Sequence, residues 1–394
     1  MRSMPLAAML VSVALTSCDT ARQREPADSS TRRPNIILII TDDQGYGDLG
    51  FHGNPDINTP TLDQLASEST RFTHFYVSPV CAPTRASLLT GRYSLRTGIY
   101  DTYNGGAMMA TEETTVAELL RDAGYATGIF GKWHLGDNYP FRPQDQGFTE
   151  SLVHPAGGMG QVGDVYNYFE YDRAYFDPTL LKNGEPVQTS GYCSDVFTDA
   201  ALAFIDDHRD QPFLAYVSYN APHTPLQVPD DAYEPYAELT FDPIRYPKDG
   251  RPLADMSERD AESARRVYAM VSNIDENVGR IRERVRTLGL ADHTVVIFLT
   301  DNGPEQVRYT GGLRGRKGTV YEGGIRVPFF MHAPGRLPAD HDVEVTAAHL
   351  DVFASLHNTL HSLAESGYDL TPPATVDELR AAVLGGNAGH YGQE

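Results

Sequence analysis

Cysteine is scarce. The 394-residue chain contains three, Cys18, Cys81 and Cys193, too few for the disulfide framework that staples small exported domains, so each needs its own explanation. Cations are also in short supply: 32 lysines and arginines face 53 aspartates and glutamates, and the net charge of −21 argues against nucleic acid as a partner. Tryptophan occurs once, as Trp133. The apolar run Pro5 to Thr16 is too short to cross a bilayer as a helix. There is no internal repeat, and the length suits one large or two modest domains.

What is there begins with an export signal. Arg2 precedes the apolar run, which ends in Leu15-Thr16-Ser17-Cys18. That ending resembles the bacterial lipobox, whose cysteine is acylated and becomes the new N-terminus. The resemblance implies an exported lipoprotein, periplasmic or at the cell surface, anchored in the membrane through lipid on Cys18. An ordinary secretory signal with an incidental cysteine is the alternative. Asp19 to Arg33 is polar, with Pro26, Ser29, Ser30 and Thr31, and reads as a flexible tether.

From Pro34 onward strands and helices alternate. Pro34 to Thr41 and Thr294 to Thr300 are continuous β-branched runs, the mark of strands buried on both faces. Gly124 to Phe130 and Pro212 to Tyr219 read as further strands. Thr59 to Ala66, Thr114 to Ala123, Ser194 to His208 and the long stretch Ser257 to Leu288 read as helices, from apolar residues three or four apart or from start signals. This alternation predicts an α/β fold on a large, mainly parallel sheet flanked by helices. The chemistry-bearing residues follow the strands: Asp42-Asp43, Lys132 and His134, His223, and Asp301-Asn302. Open α/β sheets bind ligands at the C-terminal edge of their strands, so four distant segments are expected to converge on one crevice. Asp42, Asp43, Asp301 and Asn302 offer hard oxygen ligands suited to Ca²⁺ or Mg²⁺ rather than zinc, although each pair is also an ordinary turn sequence.

A free cysteine is most often a buried small hydrophobe, which suffices for Cys193. Cys81 differs in its context, Cys81-Ala82-Pro83-Thr84-Arg85-Ala86-Ser87-Leu88-Leu89-Thr90-Gly91-Arg92. This run resembles the signature of the type I sulfatases, in the alkaline-phosphatase-like superfamily. Gly131-Lys132-Trp133-His134-Leu135-Gly136 resembles their second signature. Ala221-Pro222-His223-Thr224-Pro225 and the segment Gly315 to Pro328, with Lys317, Glu322 and Arg326, match two further motifs.

The resemblance implies hydrolysis of sulfate esters. In that family a maturation enzyme oxidises the signature cysteine to Cα-formylglycine, whose hydrate is the nucleophile. Carried over position by position, Asp42, Asp43, Cys81, Asp301 and Asn302 form the metal site, with Ca²⁺ expected and Mg²⁺ as the alternative. Arg85 holds the hydrate and the metal carboxylates. Lys132 binds sulfate, His134 bonds the hydroxyl that is not the nucleophile, and His223 and Lys317 contact the sulfate and the bridging oxygen. Thr84-Arg85 is expected to open a helix. His154, in the glycine-rich stretch Val153 to Gly160, is a candidate substrate contact, with a plain loop histidine as the other reading. Glu322, Gly323, Gly324 and Arg326 read as a turn and a bracing ion pair; Asp63, Asp195 and Asp275 read as helix caps or braces.

Tethered bacterial members often act on carbohydrate sulfates, so a sulfated carbohydrate is the expected partner. The resemblance runs from Pro34 to His349. The family's small antiparallel C-terminal subdomain is expected to be reduced or missing, with residues 34–375 as the catalytic domain and 376–394 as an atypical tail. Two rival readings are a phosphomonoester or phosphonate hydrolase of the same superfamily, and an inactive lipoprotein that binds sulfated glycans.

Overall fold

Residues 33–103 and 106–362 are described in this computed structural model, the side chains of 357–362 excepted. The export signal with Cys18, the tether up to residue 32, residues 363–375 and the tail 376–394 lie outside them. The described strands are β1 (Asn35–Thr41), β2 (Thr70–Phe72), β3 (Phe75–Tyr76), β4 (Ala126–Lys132), β5 (Glu150–His154), β6 (Thr179–Lys182), β7 (Glu185–Gln188), β8 (Phe213–Ser218), β9 (Thr294–Thr300), β10 (Phe329–His332), β11 (His341–Val343) and β12 (Ala347–Ala348). The helices are α1 (Pro60–Ser67), α2 (Cys81–Thr90), α3 (Val116–Asp122), α4 (Cys193–Asp207), α5 (Asp230–Tyr233), α6 (Glu258–Thr287), α7 (Glu322–Ile325) and α8 (His349–Ser362).

Ten strands form one sheet in the order β11-β2-β10-β9-β1-β8-β4-β5-β6-β7, and β3 pairs with β12 in a separate ribbon. The centre, β9-β1-β8-β4-β5, is parallel, as the apolar runs predict. Antiparallel strands extend it on both sides, β10 and β2 beyond β9, β6 and β7 beyond β5. Side chains alternate along β1. Ile37 and Ile39 enter one core with Val267, Ile274 and Phe197 of α6 and α4. Ile36, Leu38 and Ile40 enter the other with Leu88, Leu89 and Leu120 of α2 and α3. Each such side chain, removed from water on a two-faced strand, contributes about 1.5–3 kcal/mol, which is why polar residues are confined to the strand ends.

The helix boundaries follow local chemistry. Ser257, the predicted start, caps α6 through a reciprocal pair of bonds with Asp260, so the helix itself begins at Glu258. Asp275, in the middle of α6, accepts from Thr61 N at 3.1 Å and Leu62 N at 2.7 Å and so caps α1 from a distance. Asp63 accepts from Phe51 N and Thr59 Oγ1, and Asp195 from Asn273 and Asn277, so all three acids brace helices as expected. Glu322 and Arg326 pair at 3.2 Å across α7, the expected bracing pair.

Candidate active site

β1 and β9 are paired in register, Thr41 opposite Thr300, so the residues that follow them leave the sheet side by side. Asp43 N donates to Asp301 Oδ1 at 3.2 Å, and Asn302 Nδ2 donates to Asp43 Oδ1 at 2.7 Å. Asp43 turns the chain with φ 65°, a left-handed conformation that Asp tolerates better than most side chains. Asp42, Asp43, Asp301 and Asn302 are all buried. Two of their oxygens, Asp42 Oδ1 and Asn302 Oδ1, have no hydrogen-bond partner although both are buried. Leaving such acceptors dry and unpaired is costly, so the pocket fits an oxygen-seeking cation. Donor atoms of Asp42, Cys81 and Asp301 lie within 4.8 Å of one another, and so do those of Asp42, Asp43 and His223.

Cys81 is the first residue of α2, so the helix opens three residues before Thr84 and places residue 81 itself where the first-turn amides are free. All ten residues of α2 are buried: its apolar side chains share a core with β1, and the helix packs against α8 and α3. One turn on, Arg85 spans the pocket floor. Its Nε and Nη2 donate to Asp301 Oδ2 at 3.2 and 2.8 Å, and Nη1 donates to the Lys132 carbonyl at 3.2 Å and to Ser218 Oγ. Burial works against the guanidinium's charge, and Asp301 and Asp42 more than restore it, so its pKa is raised.

Lys132 ends β4 and its ammonium bonds Asp42 Oδ2. His134, at φ 60°, sets its Nδ1 3.4 Å from Cys81 Sγ and its Nε2 2.8 Å from the Thr102 carbonyl. Burial and the Lys132 charge push the His134 pKa down to about 3, so the imidazole is neutral near neutral pH. Burial pushes the Asp42 carboxyl up, but Lys132, His223, Arg85 and Lys317 outweigh it and hold it below the usual range. Asp301 is raised by burial and by Asp42, with Arg85 opposing.

His223 follows β8. Its backbone carbonyl accepts from Tyr175 OH at 2.6 Å, and its Nε2 lies 3.8 Å from Asp43 Oδ2. Lys317 Nζ also reaches Asp43, at 2.7 and 2.8 Å from its two oxygens. Thus Asp42, Asp43, Cys81, Arg85, Lys132, His134, His223, Asp301, Asn302 and Lys317, drawn from segments up to 275 residues apart in number, meet in one pocket.

His154 is placed differently from expectation. It ends β5, opposite Lys132, and the glycine-rich loop begins only after it. A strand forms here because β4 offers its free edge, which a glycine count cannot reveal. The ring is fully buried, neither nitrogen has a partner, and Nδ1 is 3.9 Å from Asp164 Oδ2. Cys193, first residue of α4, is buried, and burial pushes its thiol pKa well up, in keeping with an inert side chain.

Three participants escaped the sequence reading: Ser218, which binds Arg85; the Thr102 carbonyl on His134; and Arg308. Arg308 bonds Asp48 through Nε and Nη2 and the Asp43 carbonyl through Nη2 at 2.7 Å. Ser218 carried a signal, a hydroxyl closing an apolar strand at the edge where the other motifs sit.

The profile described as Sulfatase matches residues 34–362. Human N-acetylgalactosamine-6-sulfatase is 34% identical over 376 residues, covering 88% of this chain and 64% of that protein. Human arylsulfatase A is 34% identical over 379 residues, 86% of this chain and 68% of that protein. The chain therefore spans about two thirds of the length of these relatives. Among solved structures, Ps i-CgsB in complex with k-i-k-neocarrahexaose superposes with a TM-score of 0.71 at 30% identity, covering 89% of this chain and 77% of that one. A pocket of acids and cations built on the C-terminal edge of a mainly parallel sheet, a cysteine at a helix N-terminus beside it, and these likenesses agree: the chain belongs to the sulfatase family.

Proposed function

We propose that this protein hydrolyses sulfate esters of a carbohydrate, with residue 81 matured from cysteine to formylglycine. The observation that carries the reading is the seat of Cys81: its Sγ lies 3.4 Å from His134 Nδ1 and within 4.8 Å of the donor oxygens of Asp42 and Asp301. A nucleophile there has a neutral imidazole on one side and a cation-ready carboxylate cluster on the other.

Asp42, Asp43, Asp301 and Asn302 would hold the metal, with Ca²⁺ or Mg²⁺ favoured over zinc by the all-oxygen set; bound there, it would supply Lewis-acid stabilisation of sulfate oxygens and of a deprotonated nucleophile. Formylglycine would supply, as its hydrate, a nucleophile that attacks sulfur. The remaining work falls to the chain's own side chains. Lys132 and Lys317 place two ammonium groups around the tetrahedral anion, where preorganised charge counts most in a dry site. His223 and Lys317, both beside Asp43, are placed to stabilise or protonate the departing alcohol oxygen. His134, neutral, is placed to take the proton from the second hydroxyl of residue 81. Arg85 keeps Asp301 and the β4 end in register with α2. Contact between His154 and the substrate, an exported location and a lipid anchor on Cys18 belong to the same reading, supported by the sequence motifs alone.

The test is rate measurement on 4-nitrophenyl sulfate and 4-nitrophenyl phosphate, using protein co-expressed with a formylglycine-generating enzyme. The expected result is sulfate release that exceeds phosphate release and vanishes in Cys81→Ala. Faster phosphate release would favour the phosphoesterase reading, and tight glycan binding without any release would favour a binding protein.

A further inference from the structure

Most of the large apolar side chains exposed on the described residues belong to segments that touch His134 and His223. Thr102, whose carbonyl is 2.8 Å from His134 Nε2, is flanked by Tyr100 and Tyr103, the latter 62% exposed. The loop leaving His134 carries Tyr139, 75% exposed. The third segment, residues 155–177, wraps both histidines. A Cβ on Gly157 would stand 2.8 Å from His134 Nε2. Gln161 Nε2 donates to the Thr224 carbonyl at 2.8 Å, and Tyr175 OH donates to the His223 carbonyl at 2.6 Å. The outer part of this segment carries Tyr168, Phe169 and Tyr171, with Phe169 92% exposed.

We propose that these aromatic side chains form subsites for the sugars flanking the sulfated one, and that those sugars are uncharged: the substrate is a sparsely sulfated oligosaccharide. The proposal rests on the sulfatase reading above. A pyranose ring presents a face of C–H bonds that stacks on a flat aromatic ring, and tyrosine adds a hydroxyl for the sugar's own. Exposed apolar side chains gathered on the segments that hold His134 and His223 point to a ligand site there. Charge selects the ligand. On its exposed part the third segment carries Glu170 and Asp172, while Arg173 is paired with Asp177 at 2.8 Å, and Asp101 is the charged residue between Tyr100 and Tyr103. Sulfates on neighbouring sugars would meet like charge there, within a chain whose net charge is already −21. The cations that an anion needs, Lys132 and Lys317, are inside the pocket, where a single sulfate reaches them.

The experiment compares kcat/KM for sulfate release from 4-nitrophenyl sulfate, from κ-carrageenan and porphyran oligosaccharides of two to six sugars, in which neutral sugars flank the sulfated one, and from a heparin hexasaccharide. Wild type, Tyr103→Ala and Phe169→Ala are measured, each with residue 81 converted. The expected result is a rate that rises with length in at least one sparsely sulfated series and exceeds that on heparin. Each variant should lose about tenfold on the hexasaccharide, the scale of one aromatic stacking contact, and stay within about twofold of wild type on 4-nitrophenyl sulfate. Rates independent of length, a preference for heparin, length dependence intact in both variants, or release from 4-nitrophenyl sulfate alone would each overturn the proposal while leaving the sulfatase reading standing. Variants that change only the oligomeric state in light scattering would assign the patch to self-association and overturn it too. No release from any compound defeats the sulfatase reading itself, and this proposal with it.

Discussion

Arg308 and Asp48 form a fully buried ion pair, with Arg308 Nε 2.9 Å from each carboxylate oxygen of Asp48 and Nη2 2.7 Å from Oδ2. The same Nη2 donates to the Asp43 carbonyl, and Asp48 Oδ2 accepts from Gly45 N at 2.7 Å. The pair thus fixes the turn that presents Asp42 and Asp43. Arg308→Lys keeps the charge and loses the fork. Supporting residues of this kind typically account for 10–100-fold in metal affinity, so Arg308→Lys should raise the Ca²⁺ concentration needed for thermal stabilisation by roughly that factor. A variant that melts lower by the same amount at every Ca²⁺ concentration would show a purely structural role.

Gly157 is a second lever on His134. An added Cβ would sit 2.8 Å from Nε2 and 2.9 Å from Cε1, so the ring must move. Displacements near 1 Å at a reacting group cost on the order of a hundredfold. Gly157→Ala should therefore lower kcat by roughly that factor with little change in melting temperature. Unchanged kcat would place His134 outside the chemistry.

Ser218 offers a milder test. It accepts from Arg85 and donates to the Lys132 carbonyl at 2.7 Å, tying β8, α2 and β4 together. Ser218→Ala removes one partner of a buried charge, which should destabilise the fold by about 1–3 kcal/mol in chemical denaturation. Arg85→Lys should destabilise more and abolish turnover, since a lysine cannot reach Asp301, Ser218 and the Lys132 carbonyl together. A Ser218→Ala variant as stable as wild type would contradict this picture.

Acid should weaken the fold through His349. Its ring, at the start of α8, is buried, with Nδ1 3.0 Å from the Tyr76 carbonyl. Burial pushes its pKa from 6.5 down to about 4. The unfolded chain then binds a proton that the folded one refuses. The contribution is fully present above pH 6.5 and is lost as pH falls toward 4, by up to roughly 3 kcal/mol. His349→Asn, which keeps a donor for Tyr76, should flatten the decline in melting temperature over that window. Parallel curves for the two proteins would contradict the assignment.

The parallel centre was legible because β1, β8 and β9 are apolar on both faces, a pattern that few other structures produce. The residues that converge on the pocket were legible because they stand in short motifs, most of them at strand ends. The short outer strands β5, β6, β7 and β11 were not, since they depend on pairing with a neighbour more than on their own residues. Arg308 was invisible for a related reason. Its partner Asp48 is 260 positions away, and an arginine in Gln306-Val307-Arg308-Tyr309 has no local mark of burial. His154 was misplaced because its glycine-rich sequel suggested a loop, while hydrogen bonding to β4 extended the strand by one residue more.

The central claim is that residue 81 is not a cysteine in the working protein. Mass spectrometry of the tryptic peptide Phe72 to Arg85, from protein made beside a formylglycine-generating enzyme, tests it most directly. The account predicts loss of sulfur and gain of an aldehyde at position 81, in step with sulfate release from 4-nitrophenyl sulfate. An intact thiol in a preparation that turns over at full rate, with a control sulfatase converted in the same cells, would contradict it.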